Sequence, residues 1–178
     1  LGYGHDVLVV AATERELAHV DGAETLVCGI GPVEAALQTA RALTRSLPDA
    51  VLHVGIAGAR GLQPLSVVIG SEAVYCEVID EASTLPRVER EQPDATLVEH
   101  VRTALPEAQL LPIATCARVG GGSVCDVEAM EGFGVLRACA LAGVPAVEVR
   151  VISNDPAEPD RAKWRFDEAF AVLGEVVA

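Results

Sequence analysis

The chain has 178 residues, 51% of them hydrophobic but only 3% aromatic, with 26 acidic against 13 basic residues and a formal net charge of −13. That length fits a single domain spanning residues 1–178, and a core so poor in aromatics must be built from Val, Leu, Ile and Ala, as in a buried, mostly parallel sheet between helices. The acidic balance excludes nucleic acid and anionic membrane as partners, and no apolar run approaches the ~18 residues of a membrane span.

No basic-then-apolar leader opens the chain, so a cytoplasmic protein is expected. The sequence begins at Leu1 rather than Met, and further residues are expected before it. The five cysteines (Cys28, Cys76, Cys116, Cys125, Cys139) form no CxxC pair, so neither a metal site nor a disulfide framework is expected.

Read in order, residues 7–12 and 24–28 are apolar runs of strand length. Gly29-Ile-Gly31-Pro32 then turns into a helix, with Pro32 at a first-turn position that tolerates proline. Val33, Ala36, Leu37, Ala40, Leu43 and Leu47 mark its expected packed stripe. A strand over 51–54 ends in a Gly55-Ile-Ala-Gly58 turn, and 67–74 is a strand broken by Gly70. The charged, proline-bearing stretch 80–94 reads as a surface excursion, 96–105 as a helix and 110–115 as a strand. Gly120-Gly-Gly122 is a flexible turn, and 127–142 a helix stopped by Gly143 and Pro145. Residues 146–152 form a strand of alternating character. The last helix carries Phe166, Phe170, Leu173 and Val177 on its apolar side, with Trp164 just before it. Strands alternating with helices imply βαβ units and an α/β sandwich.

Four places along this series can carry chemistry, each with a purely structural alternative. Gly29-x-Gly31 is a tight turn for helix–strand packing or the rim of a small-molecule pocket. It lacks the third glycine of a dinucleotide fingerprint, since Glu34 stands there. Glu14-Arg-Glu16 follows the first strand, where open α/β sheets bind ligands, although acids also suit a helix start. Glu128 to Gly132 opens an apolar helix; a buried carboxylate there needs a partner, and a ribose diol would supply one. Ser153-Asn154-Asp155 ends the last strand, suited to a turn or to reading a purine edge through the Asn154 amide.

Together, Ala12-Thr-Glu-Arg-Glu16, Cys28-Gly-Ile-Gly-Pro-Val33, Val54-Gly-Ile-Ala-Gly58, Met130-Glu-Gly132 and Val149-Arg-Val-Ile-Ser-Asn154 resemble the successive motifs of the nucleoside phosphorylase/nucleosidase superfamily. The branch they look most similar to is that of the futalosine hydrolases, including the acidic, proline-containing stretch that leads to Trp164. The resemblance implies a three-layer α/β sandwich around a central mixed, mostly parallel sheet. It also implies hydrolysis of a purine N-glycosidic bond without metal or cofactor, and a homodimer or larger homo-oligomer whose small-molecule partner is a nucleoside. By the same resemblance Glu16 activates water and Glu131 holds the ribose with Met130 beneath it. Arg150 organises the ribose and water end, and Ile56, Ala57 and Ser153 contact substrate.

Asn154 stands where adenine-specific nucleosidases carry Asp, so a 6-oxopurine such as hypoxanthine is the expected base. Ile56 occupies a position where many phosphorylases offer Ser or Thr, and Glu16 would repel phosphate, so water rather than phosphate is the expected nucleophile. Residues 118–126 are shorter than in most relatives and carry no base-stacking aromatic; Val119 and the glycines are expected to close over the base. The alternatives are a methylthioadenosine/S-adenosylhomocysteine nucleosidase and a nucleoside-binding protein without catalysis.

Overall fold

Alternation along the first strand, β1 (Val7–Ala11), sorts the chain into layers. Leu8 and Val10 pack with Ala35 and Leu43 of helix α1 (Pro32–Leu43) and with Val135, Leu136 and Cys139 of helix α3 (Gly132–Ala142). Val9 and Ala11 face the other way, toward Val98 and Val101 of α2 (Ala95–Ala104) and Ala169, Leu173 and Val176 of α4 (Phe166–Val177). Helices thus cover both faces of one sheet, the three-layer arrangement expected. The computed structural model describes residues 6–77, 84, 86–120 and 123–177.

The other strands are β2 (Glu24–Val27), β3 (Ala50–Ala59), β4 (Val67–Tyr75), β5 (Arg90–Glu91), β6 (Gln109–Thr115), β7 (Val127–Ala129) and β8 (Ala146–Asn154). The order runs β2-β1-β3-β7-β6-β4-β5, with β8 paired to both β3 and β4. The β1–β2, β1–β3, β3–β8, β4–β6 and β6–β7 pairings are parallel, whereas β3–β7, β4–β5 and β4–β8 are antiparallel. The sheet is mixed and mostly parallel, and the carboxyl ends of β1, β3 and β8 open on one side.

Several expectations need correction. Gly55 to Gly58 is no turn, because β3 runs on to Ala59 and pairs with β8 as far as Gly58↔Asn154. Gly70 marks a register shift inside β4 rather than a break. Residues 127–129 are a strand wedged between β3 and β6, and α3 starts only at Gly132. Three residues are too few for periodicity to separate a strand from a helix start.

The α1 stripe is also displaced: Ala35, Thr39 and Leu43 are buried while Val33 and Leu37 are exposed. α3 approaches so closely at Gly134 that a β-carbon there would lie 2.5 Å from the Pro32 carbonyl oxygen. At this closest approach Ala36 meets Gly134 while Val33 and Leu37 are turned away, and Leu43 is buried further along the helix as expected. Every residue of β8 is buried, so its alternating polarity does not mean a solvated face. In the stretch 80–94, residues 80–83 and 85 lie outside the described residues, as do Gly121 and Gly122.

Candidate active site

A cavity of about 260 Å³ lies at the carboxyl ends of β1, β3 and β8. Its walls include Glu16, Ile56, Ala57, Met130, Glu131, Ser153 and Asn154, seven of the eight residues singled out from sequence. The eighth, Arg150, does not line the cavity; it is completely buried behind the wall and reaches the site through others. Phe166 and Phe170, expected in the core with Leu173, instead close the cavity together with Trp164, being the first aromatics of α4 beyond the end of β8.

The turn after β1 fixes Glu16. Its Oε2 accepts hydrogen bonds from Thr13 N at 2.9 Å and Thr13 Oγ1 at 2.8 Å, and its Oε1 accepts one from Ile56 N at 3.3 Å. Arg15 anchors the same turn to α4, lying 4.3 Å over the Phe170 ring and pairing with Asp167 at 2.5 Å. Burial pushes the Glu16 carboxyl above the ordinary carboxylate range, while Arg150 and the Thr13 hydroxyl pull the other way.

Opposite Glu16 sits Glu131, the residue preceding α3. The Gly31 N–H donates to its Oε1 at 3.1 Å, and Arg150 Nη2 lies 3.5 Å from its Oε2. Gly31 has φ of +95°, a conformation open to glycine, so the Gly29-x-Gly31 turn serves the site by aiming a backbone donor at a carboxylate.

Behind both acids is a network that sequence reading missed. Arg150 donates from Nε to Glu148 Oε1 at 2.8 Å and from Nη2 to His53 Nε2 at 2.5 Å. His53 donates in turn from Nδ1 to the Val10 carbonyl at 2.9 Å, which settles its tautomer. Burial and the neighbouring guanidinium push the His53 pKa far down, so the ring stays neutral and accepts from Arg150. Burial pushes the Glu148 carboxyl up, against the pull of Arg150. Gly55 makes the meeting of Arg150 and Glu16 possible, since a β-carbon there would lie 2.3 Å from Arg150 Nη1 and 2.6 Å from Glu16 Oε1. The only sequence signal for this network was polarity inside an apolar strand, at His53 and Glu148.

At the far end of the cavity, Ser153 Oγ donates to Asn154 Oδ1 at 2.8 Å. The same hydroxyl lies 3.2 Å from the Ala57 carbonyl, and its single hydrogen serves the shorter contact, which holds the amide with Nδ2 able to donate. Glu128, which the sequence marked only as the start of the Glu128 to Gly132 motif, stands across β3 from Asn154; Arg118, Val119, Gly120 and Pro156 complete this end. Among the described residues, no group of three or more His, Cys, Asp or Glu side chains is placed to hold a metal ion.

Comparison with known proteins agrees with this geometry. The family model of the phosphorylase superfamily matches residues 22–124. A futalosine hydrolase from Streptomyces coelicolor is 35% identical over 185 residues, covering 88% of this chain and 77% of that protein. A 5'-methylthioadenosine/S-adenosylhomocysteine nucleosidase from Geobacillus thermodenitrificans is 28% identical over 186 residues, covering 88% of this chain and 78% of that one. Among solved structures, a futalosine hydrolase mutant of Helicobacter pylori superposes with a TM-score of 0.85 at 16% identity, covering 98% of this chain and 97% of that chain. The shared motifs, the sheet order and the pair of buried acids at the strand ends have one common reading: the chain belongs to the phosphorylase superfamily.

Proposed function

We propose that the protein is a purine nucleosidase that hydrolyses the N-glycosidic bond of futalosine, releasing hypoxanthine and dehypoxanthine futalosine for menaquinone biosynthesis. The observation that carries this reading is the disposition of polar groups along the cavity. A buried, elevated-pKa carboxylate stands at one end and the Asn154 amide, held by the Ser153 hydroxyl, stands at the other.

Cleavage of an N-glycosidic bond passes through an oxocarbenium-like state, and needs an activated water and a stabilised leaving base. Glu16 takes the proton of the water; its raised pKa makes it a stronger base than a solvated carboxylate. Glu131 binds the ribose hydroxyls, its orientation held by Gly31 N–H and Arg150, with Met130 under the sugar and Ile56 and Ala57 beside it. Asn154 donates from Nδ2 to the purine as negative charge develops on the leaving base, and Ser153 holds the amide in that orientation.

A 6-aminopurine would set its own amino donors against Nδ2, which weighs against adenine nucleosides despite the likeness to the Geobacillus nucleosidase. Ile30, Val33, Leu37 and Leu141 are 62–72% exposed, an apolar face beside the cavity that supports a homodimer or larger homo-oligomer.

The test is base release from futalosine, inosine, methylthioadenosine and S-adenosylhomocysteine, each with and without phosphate. Hypoxanthine release from futalosine independent of phosphate is expected. Release of adenine alone would overturn the reading, as would strict dependence on phosphate.

A further inference from the structure

His53 and Gly55 on β3 stand in register with Glu148 and Arg150 on β8, so all of them share one face of the sheet. The nitrogens of the Arg150 guanidinium serve different neighbours there. Nε donates to Glu148 Oε1 at 2.8 Å, and Nη2 donates to His53 Nε2 and lies 3.5 Å from Glu131 Oε2. Nη1 faces Glu16 across the space that Gly55 leaves open. Three buried acids thus share one buried cation, and Glu148 makes the shorter of its ion pairs.

Glu148 is fully buried and does not line the cavity, so it reaches the reaction only through Arg150. A buried carboxyl is costly in its charged form, and two features here counter that cost. Arg150 donates to one of its oxygens. The other lies against Gly132, the first residue of α3, where the helix dipole is positive and where any β-carbon would collide with it.

We propose that Glu148 is a positioning residue whose negative charge neutralises Arg150 and so keeps Glu16 basic enough to activate water. This rests on the nucleosidase reading above and deepens it. An Arg150–Glu148 pair presents little net charge to Glu16, whereas an unpaired guanidinium would stabilise ionised Glu16 and make it a weaker base. The other groups around Glu16 cannot replace Glu148. Glu131, before α3, is held by Arg150 and the Gly31 N–H, and Cys28, just past β2, is a neutral thiol that burial pushes up to about 12. The groups facing Glu148 are Arg150, Glu131 and, from β3, the neutral His53 ring.

The experiment is the pH dependence of kcat/KM for futalosine hydrolysis in Glu148→Gln, which keeps an acceptor for Arg150 Nε and removes the charge. Removing one negative charge roughly 8 Å from a carboxyl, at an effective dielectric of about 20, lowers its titration by about 1.5 pH units. The acidic limb should therefore move down by at least about half a pH unit, and a smaller or upward movement overturns the proposal. A merely structural role would lower the rate or the melting temperature and leave the limb in place.

Glu148→Asp retains the charge and should keep the limb where the unmodified protein has it; a limb that falls alike in both variants overturns the proposal. Carboxyl-carbon NMR titration of Glu148 in the unmodified protein needs no variant. An ionised carboxyl at neutral pH is expected there, and a protonated one overturns the proposal. The two readings fail differently: if the unmodified protein releases no hypoxanthine from futalosine, the nucleosidase reading falls. If it does so and the limb of Glu148→Gln stays in place, only the role of Glu148 falls.

Discussion

Glu16→Gln should separate catalysis from stability. The glutamine oxygen can take the place of Oε2 and keep both bonds from Thr13, at 2.9 and 2.8 Å; only the longer contact from Ile56 N, at 3.3 Å, then meets an amide nitrogen instead of an oxygen. Burial raises the pKa of Glu16 in the fold above its unfolded value, so folding favours the protonated form. The stability this contributes is present below the unfolded pKa and is lost as pH rises through the folded one. At neutral pH the ionised side chain is therefore a burden that a neutral amide relieves, and the melting temperature of the variant should equal or exceed that of the unmodified protein. The gap should close as the pH is lowered through the raised pKa. Activity moves oppositely: a positioned general base contributes roughly 10²–10⁴-fold, or about 2.7–5.4 kcal/mol of barrier. Single-turnover release of hypoxanthine beside thermal melts at several pH values measures both. A variant keeping more than a tenth of the rate would refute the base assignment. A lower melting temperature at neutral pH would make Glu16 chiefly a structural partner of Arg150.

Other outcomes follow from the same contacts. The acidic limb of kcat/KM should lie above 4.5, the ordinary glutamate value, because the base must lose its proton from a raised pKa; a limb at or below 4.5 in a pH–rate profile would contradict it. Gly55→Ala places a β-carbon 2.3 Å from Arg150 Nη1 and 2.6 Å from Glu16 Oε1, so activity should drop more than a hundredfold, with a stability loss of about 1–3 kcal/mol in urea titration. Arg150→Met leaves Glu16, Glu131 and Glu148 without their shared cation and should cost about 3–5 kcal/mol, read as a lower denaturation midpoint. Asn154→Asp sets an ionised oxygen against N7 and O6 of hypoxanthine, so kcat/KM for futalosine should fall at least tenfold.

How much of this was legible in the sequence depended on whether a residue's neighbours lie close to it in the chain. The layer order was readable, because strand runs such as 7–12 and the glycine–proline punctuation around them report local geometry. Seven cavity residues were also found, since they sit in short motifs at strand ends. What was missed depends on pairing between distant segments. β7 acquires its identity only by lying between β3 and β6, and Glu128 reaches the cavity wall only because Gly58 brings it beside Asn154. The α1 stripe was misassigned because Gly134, about a hundred residues away in the chain, decides which face of α1 can approach α3. The Arg150 network is the extreme case. His53 and Glu148 are one polar residue each in an apolar run, and only the β3–β8 register, His53↔Glu148, shows that they flank one guanidinium.

At the Asn154 end of the cavity the segment before β7 offers no aromatic ring. The wall at this end is made by Arg118, Val119, Gly120 and Pro156, none of which stacks on a base as an aromatic ring does. Stacking holds a purine but discriminates poorly, because every base presents a π-face. An apolar pocket tells apart ligands differing by one small group only by about 10–200-fold, whereas a site whose buried polar groups go unpaired with the wrong ligand reaches roughly 10⁴–10⁵. The Asn154 amide, held by the Ser153 hydroxyl, is such a buried polar group. On the nucleosidase reading proposed above, the choice of base is expected to lie in the edge of the purine, read by the Asn154 amide, rather than in stacking on its face.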